Sequence, residues 1–590
     1  MKKVSYDHNH EDHIDRIGSG HIGGKARGLS FFHRLFFPGE IQQKFSPHTV
    51  RIPKTTVIAS DAFEQFVSDN ELTDAIHEEK DATVLRRFHD GIFRQEWLEV
   101  LEQFLRRNPF PLAVRSSSLN EDAFNHPFAG LFLTLLLPNN HPDPKTRLHQ
   151  LIDAIKAVYA STYFQSPQAY MAKHRLPIEH EKMAVILQQL VGRPHGKYFY
   201  PRIAGVGQSL NFFPVGPIKP EDGIALAVLG LGKMAVEGDR VMRFCPRFPT
   251  VRPQMYTAKD FLTYTQTHFI AVDLTTGGRQ LTGQETDTLV TLPLSVAEQQ
   301  NTLQNLVSVW DPRDRTLYDS AFHQGTKVLT FNSILKGGLF PLGAMIDTLL
   351  ERFQEGFQSP VDMEYAVELD HYGGFAHATF YLLQARPLVA RSFDEDIKIP
   401  DVPESRTILR SGHTMGTGKL TDIKYLIRVL PTALEPTASR ELANSAARLD
   451  LLMRKRGEQY VLIGPGRWGS TNPRLGIPVT FAQIANAAAI IETGAPGLDF
   501  EPSQGTHFFH LITAGGIVYM AMMPEHNDSI NHDLLDSFTI DHRDGNVVLL
   551  RPPRPMEVVV DGRDTKGIIH LTEETAPETF EPDWEAGDFD

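Results

Sequence analysis

Between Pro360 and Pro387 the chain alternates strictly. Val361, Met363, Tyr365, Val367 and Leu369 are separated by Asp362, Glu364, Ala366 and Glu368. Side chains on a strand face opposite sides with a period of two, so Asp362 and Glu364 share one face of a half-buried strand. A turn at His371–Gly374 leads into a second strand, Thr379–Arg386, with Gln384 and Arg386 on one face of its own. Paired as a hairpin, the two strands bring carboxylates, an amide oxygen and a guanidinium to one surface. Hard oxygens of this kind suit Mg²⁺, which usually keeps water and phosphate as its other ligands. A guanidinium beside them neutralises charge on a transferring phosphoryl group. The same pattern also describes the polar side of a solvent-facing edge hairpin.

Other stretches carry phosphate-binding chemistry in weaker form. Gly18–Leu29 reads GSGHIGGKARGL. The Walker pattern fails, because Ser19 and Ala26 stand where it needs glycine and a hydroxyl residue. A glycine turn before a helix starting near Lys25 remains, and it fits either an anion site or an exposed lysine at a helix start. In Ala113–Thr134, Arg115 precedes Ser116, Ser117 and Ser118, followed by Glu121, Asp122 and a Phe-Ala-Gly turn. Arg115 either clamps phosphate oxygens or pairs with Glu121 or Asp122.

The chain has 590 residues, a prior of roughly three to four domains. Arg391–Arg406 (RSFDEDIKIPDVPESR) reads as an interdomain linker, with mixed charges, two prolines and little apolar periodicity. Helical patterns occupy Asp61–Asn70, Lys80–Asn108, Arg147–Tyr163 and Thr480–Ile491. Pro111–Ser117, Lys182–Val191, Tyr460–Ile463 and Gly516–Met522 read as strands. The net charge is −14, much of it in the tail 571–590, which carries acids and no base. Nucleic acid is therefore not an expected partner, and neither is a membrane, since no apolar run approaches the ~18 residues of a span. With Cys245 as its single cysteine and no signal peptide at its start, the chain is expected to be cytoplasmic.

GGKARGL, VRSSSLNEDAFNHPFAGLFLT, VILQQLV, GLGKMAVEG and VDMEYA…LLQARP follow one another in the order found in one family. They resemble the ATP-binding domain of phosphoenolpyruvate synthase and pyruvate phosphate dikinase, also seen in rifampicin phosphotransferase. The resemblance implies an α+β multidomain chain. An ATP-grasp region with lobes 1–200 and 201–390 precedes a linker at 391–406, a C-terminal α/β domain at 407–570 and an acidic tail at 571–590. It implies ATP and Mg²⁺ as cofactors and an ATP-dependent phosphotransferase, with a silent ATP-binding regulator or scaffold as the alternative.

Carried over residue by residue, Lys25 and Arg115 bind ATP phosphates, and Thr134 is the hydroxyl after the Phe-Ala-Gly turn. Gln188 opens a hinge whose backbone at Leu190 and Val191 meets adenine. Glu364 and Gln384 are metal or nucleotide ligands supported by Asp362, and Arg386 is a phosphate contact. One position departs: the family usually reads Gly-Leu-Gly-Glu, and this chain has Lys233 in place of the acid, with Glu237 four residues on. About 185 residues follow the linker, too few for a pyruvate-binding barrel of about 250. The phosphoryl acceptor is then a small molecule or a partner protein.

Parts of the C-terminal region, RSGHTMGTG, AAAIIET and GTHFFHLITAGGI, loosely resemble the family's swivelling phosphohistidine domain. Under that alignment His507 is the phosphorylated histidine, with Phe508 and Phe509 where small residues are usual. His507 otherwise reads as a side chain on a half-buried strand, and His510 stands as a second acceptor candidate. Arg467 in GPGRWG either holds a phosphate or an acidic loop, or belongs to a tight turn with Trp468 in the core. His8, His10 and His13 read as a metal cluster or a polar N-terminal arm.

Overall fold

In the computed structural model the alternating run is the centre of a six-stranded sheet. The structure describes residues 6–7, 14–36, 39–78, 80–121, 128, 130–252, 257–320, 322–369, 375–388, 397–430, 438–470, 472–494, 502–503, 506–523 and 528–573. The His8, His10 and His13 cluster, Asp122, the His371–Gly374 turn and most of the acidic tail lie outside them. Val361–Glu368 pairs antiparallel with Thr379–Pro387 on one side and Ile203–Gln208 on the other. Ile224–Val228 and Met242–Phe244 extend the sheet one way, and Thr49–Arg51 closes it the other. Val361, Met363, Tyr365 and Val367 are buried in one core with Met345, Ile346 and Leu349 of the helix Leu342–Phe357. The alternation is thus converted into one oily face and one polar face.

A second six-stranded sheet runs Tyr6–Asp7, Asp15–Ile17, Thr55–Ile58, Met183–Gln189, Leu112–Ser118, Thr134–Leu137. The helices Ser60–Asp69, Gln95–Arg107 and Pro144–Ala160 contribute Phe63, Phe66, Trp97, Leu101, Leu151 and Ile155 to its core. The helical pattern expected over Lys80–Asn108 is two helices, Asp81–Asp90 and Gln95–Arg107. Gly91 and three further extended residues interrupt it; glycine after Asp90 favours the break.

The C-terminal region forms a seven-stranded sheet, with Leu426–Val429, Tyr460–Pro465, Ala487–Thr493 and Val518–Met522 parallel at its middle. A five-stranded antiparallel sheet packs on one face: Val461, Ile463, Ile491 and Met520 meet Leu409, Val558, Val560 and Ile569. The helices Ser439–Arg456 and His507–Ala514 cover the other face. The helix expected over Thr480–Ile491 is not there. Residues Phe481–Gln483 make a single 3₁₀ turn, and Ala487–Thr493 is a strand buried between parallel neighbours. Buried parallel strands lack alternation, and alanine takes either state, so tertiary pairing overrides propensity.

Two adjacent glycines set the start of the helix Gly23–Phe36. Gly23 has φ +77°, and a Cβ there would lie 1.7 Å from the Ser117 carbonyl oxygen. A Cβ on Gly24 would lie 1.4 Å from the Glu121 carbonyl oxygen. Only bare backbone lets this helix seat on the serine strand. Gly24→Ala is therefore expected to cost about 3 kcal/mol or more, since backbone rather than a flexible side chain must move. An unchanged melting temperature would show that the helix start can shift freely.

Candidate functional site

Arg115 leaves the second six-stranded sheet and ends in the first. Its strand, Leu112–Ser118, lies antiparallel to Met183–Gln189, which places Gln188 beside it. Arg115 Nη1 donates to Gln188 Oε1 at 3.1 Å and to the Leu383 carbonyl at 3.1 Å. Its Nη2 donates to Glu364 Oε2 at 3.2 Å and to Gln384 Oε1. Glu364 and Gln384 are direct cross-strand partners, and the register shifts just after Glu364 so that Leu383 opposes no residue. That bulge leaves the Leu383 carbonyl available to Arg115. Glu121 does not pair with Arg115, and Asp122, the other partner that the sequence offered, lies outside the described residues. Glu121 is fully buried and takes Lys25 instead, at 2.6 Å, with Ser116 Oγ 3.0 Å from the same ammonium. Lys25 is likewise buried, not exposed at a helix start.

One register step along the hairpin lies a second buried pair. Arg386 Nη2 meets Asp362 Oδ2 at 2.8 Å, and its Nε donates to the same oxygen at 3.0 Å. Asp362 and Glu364 do share one face, and each carries its own guanidinium. Burial pushes the Glu364 carboxyl up, but the neighbouring His507, Arg115 and Arg386 outweigh it and hold the group well below the ordinary carboxylate range.

These side chains line a cavity of about 440 Å³ between the two sheets. Lys25, Arg115, Thr134, Gln188, Leu190, Val191, Glu364, Gln384 and Arg386 all border it. So does His507, which comes from the C-terminal region. His507 is the first residue of the helix His507–Ala514, capped by Thr506 Oγ accepting from the Phe509 N–H, and is not on a strand. Its Nε2 stands 3.6 Å from Glu364 Oε1, and its ring covers Gly130, where a Cβ would fall 2.7 Å from Nδ1. Phe509 turns away into the core against Tyr519 and Phe212, so it does not close the approach to His507. His510 is buried, 3.1 Å from Gln208 Nε2 and outside the cavity lining. Burial first, then Arg386 and His507, pull its ring down to about 3 against the opposing pull of Asp362, so it is a neutral imidazole at ordinary pH.

Lys233 also borders the cavity, at the start of the short helix Lys233–Glu237. It binds Glu237 at 2.7 Å and, more closely, Glu285. Burial pulls the ammonium down, but the two carboxylates outweigh it and raise it above its ordinary value. The other Glu285 oxygen accepts from the Thr134 N–H at 3.2 Å, so Lys233 is tied to the Thr134 strand. Glu285 belongs to no motif and carries no sequence signal. Glu121 was visible only as one of several acids in a loop. Among the described residues no cluster of three or more His, Cys, Asp or Glu side chains is arranged to hold a metal. No helix among them is long and apolar enough to cross a membrane.

The sequence profile of the pyruvate phosphate dikinase AMP/ATP-binding domain matches residues 19–406. The chain belongs to this family, which is that of pyruvate phosphate dikinase and phosphoenolpyruvate synthase. No curated protein matches the chain. The AMP/ATP-binding domain match spans every cavity residue from Lys25 to Arg386 and stops before His507, Arg467 and the seven-stranded sheet. ATP binding is the property that this family implies for the matched region.

The Asp362–Arg386 pair makes a quantitative expectation. Removing one member deprives a buried charge of its ion-pair partner, which costs about 3–5 kcal/mol, whereas an apolar pair of similar volume can be neutral. Asp362→Leu should therefore unfold at markedly lower urea, and Asp362→Leu with Arg386→Met should recover most of the loss. Additive losses in the double-mutant cycle would mean that the two groups are not coupled.

Proposed function

We propose that the chain is an ATP- and Mg²⁺-dependent phosphotransferase in which His507 receives the phosphoryl group. On this reading the two six-stranded sheets and their helices are the lobes of an ATP-grasp clamp. The C-terminal α/β region is then a modified swivelling phosphohistidine domain. The observation that carries the proposal is the position of His507. A histidine from outside the family-matched region stands in the same cavity as Lys25, Arg115 and Arg386, 3.6 Å from Glu364.

Lys25, Arg115 and Arg386 supply three cations for the phosphate oxygens, and Thr134 a hydroxyl. Gln188, Leu190 and Val191 take the adenine side. Glu364 and Gln384 would hold Mg²⁺. One carboxylate and one amide oxygen on facing strands are hard donors, and they fit an ion that completes its shell with phosphate and water. Bound there, the ion would neutralise charge on the phosphates. A neutral imidazole nitrogen of His507 forms the N–P bond as the anhydride P–O bond breaks, and the electron pair leaves with the nucleotide product. The Glu364 carboxylate beside Nε2 stabilises the positive charge that the ring acquires. Positioning and charge neutralisation carry most of such a reaction. The described C-terminal strands form five-, seven- and two-stranded sheets rather than a barrel of eight parallel strands, and on this reading the final acceptor is a small molecule or a partner protein.

One observation favours a second reading, a silent ATP-binding regulator. Lys233 stands where the family usually has an acid, and both nearby carboxylates are engaged with it. ATP labelled at the β or γ phosphate separates the two. Transfer predicts acid-labile, base-stable label on the wild-type protein that is lost in His507→Ala and kept in His510→Ala. It also predicts that Arg115→Ala and Glu364→Ala lose both label and Mg-ATP affinity by tenfold or more, since each hydrogen bond to a charged group is worth about 1.5–3 kcal/mol. Bound ATP with no label and no released AMP or ADP would establish the regulator instead.

A further inference from the structure

The loop GPGRWG is built to present one side chain. Gly466 and Gly469 have φ +71° and +80° and turn the chain sharply on either side of Arg467 and Trp468. The Arg467 N–H donates to the Leu475 carbonyl and the Gly469 N–H to the Ile477 carbonyl, each at 2.8 Å. Trp468 is buried, its indole N–H donating to the Ile491 carbonyl at 3.2 Å and its backbone N–H to Glu492 at 3.0 Å. The buried Glu492 carboxylate also accepts from Tyr519 and Ser503. A rigid loop with a nearly inaccessible arginine is an expensive way to make a turn.

Arg467 Nη1 donates to the Gly238 carbonyl, in the family-matched region. Gly238 has φ +74° and caps the C-terminal end of the helix Lys233–Glu237. A Cβ there would lie 2.5 Å from Thr506 Cγ2 and 3.2 Å from Arg467 Nη1. Next to it, Asn472 Nδ2 donates to Asp239 Oδ1 at 2.9 Å. The five-residue helix therefore has Lys233 in the cavity at one end and the Arg467 contact at the other. Thr506, which touches Gly238, is the cap residue directly before His507.

We propose that Arg467 and Asn472 are positioning residues that dock His507 into the nucleotide cavity by gripping Gly238 and Asp239. The inference rests on the reading of His507 as phosphoryl acceptor. Arg467 suits the task because a guanidinium donates in fixed directions and meets the carbonyl end of a helix, where positive charge is favoured. Asn472 adds a second point of attachment, which fixes the rotation of the C-terminal region about the first. Docking is thereby made to depend on the segment that carries Lys233, so a shift of Lys233 toward bound phosphate is felt at the loop.

The test uses the full chain and three variants, Arg467→Ala, Arg467→Lys and Asn472→Ala, with γ- and β-labelled Mg-ATP as the probe. Expected is a fall of about tenfold or more in the rate of acid-labile labelling for Arg467→Ala. Asn472→Ala should fall less, and Arg467→Lys should retain more of the rate than Arg467→Ala. Equilibrium binding of Mg-ATP should change far less than the labelling rate, because neither residue lines the cavity. Hydrogen exchange of the helix His507–Ala514 gives a readout that needs no chemistry, and it should accelerate in the same order. If Arg467→Ala fails to fold, Asn472→Ala and Asp239→Asn decide the matter from the two sides of the same contact. Unchanged labelling with unchanged exchange overturns the proposal. If the wild-type chain takes no label, the acceptor reading of His507 fails by itself. Docking is then judged on exchange alone: acceleration in the variants upholds the grip on Gly238 and Asp239, and its absence removes it.

Discussion

The Arg115 guanidinium is the interaction on which the arrangement depends. It starts on one sheet, touches Gln188 there, and ends among Glu364, Gln384 and the Leu383 carbonyl of the other. A rigid planar fork can satisfy acceptors in several fixed directions at once, which an ammonium cannot. The bulge at Leu383 shows how closely the sheet of Glu364 and Gln384 is shaped to it. Without Arg115, Glu364 would lose its salt-bridge partner and keep only the weaker influence of His507 and Arg386.

Four cations around this cavity each have an acid of their own: Lys25 with Glu121, Arg115 with Glu364, Arg386 with Asp362, and Lys233 with Glu285 and Glu237. Buried pairs of this type contribute little net stability, because desolvation offsets the attraction. Their consequence is geometric. Each cation is held at a fixed point before any anion enters, so less ordering remains to be done when phosphate arrives. An entering phosphate competes with carboxylates rather than with bulk water.

The C-terminal region is joined to this site through packing as well as polar contacts. Tyr170 and Phe481 rings meet at 5.5 Å, and Lys173 Nζ donates to the Ala485 carbonyl at 2.6 Å. One hydrophobic core runs from Phe63 and Leu151, on the helices of the second six-stranded sheet, to Leu462 and Tyr519 of the seven-stranded sheet. His507 and His510 sit three residues apart on one helix and have different surroundings. The first lines the cavity, and the second is sealed against Gln208 and Asp362. Two chemically identical side chains thus stand in different surroundings, one bordering the cavity and one buried among other polar groups.

Local order in the sequence determined the hairpin. Strict alternation from Val361 to Glu368 fixes which residues share a face, because strand geometry has a period of two and needs no partner to state it. The ordered glycine, arginine and serine blocks likewise placed Lys25 and Arg115 in a phosphate-binding family. The partner of each charge was not legible. Arg115 and Glu364 are 249 positions apart, and Lys25 takes Glu121 rather than leaving it to Arg115. Such choices follow from how two sheets meet, and composition near each residue does not encode that. Ala487–Thr493 reads equally as helix or strand until parallel neighbours on both sides decide it. The sequence left His507 open between the phosphohistidine of a loose resemblance and a side chain on a half-buried strand, and the fold places it on a helix with Gly130 and Glu364 at its ring. Local pattern specifies faces and backbone freedom, which are short-range properties. Charge pairing and the contents of the cavity depend on contacts between distant segments, and only the packed tertiary structure selects among them.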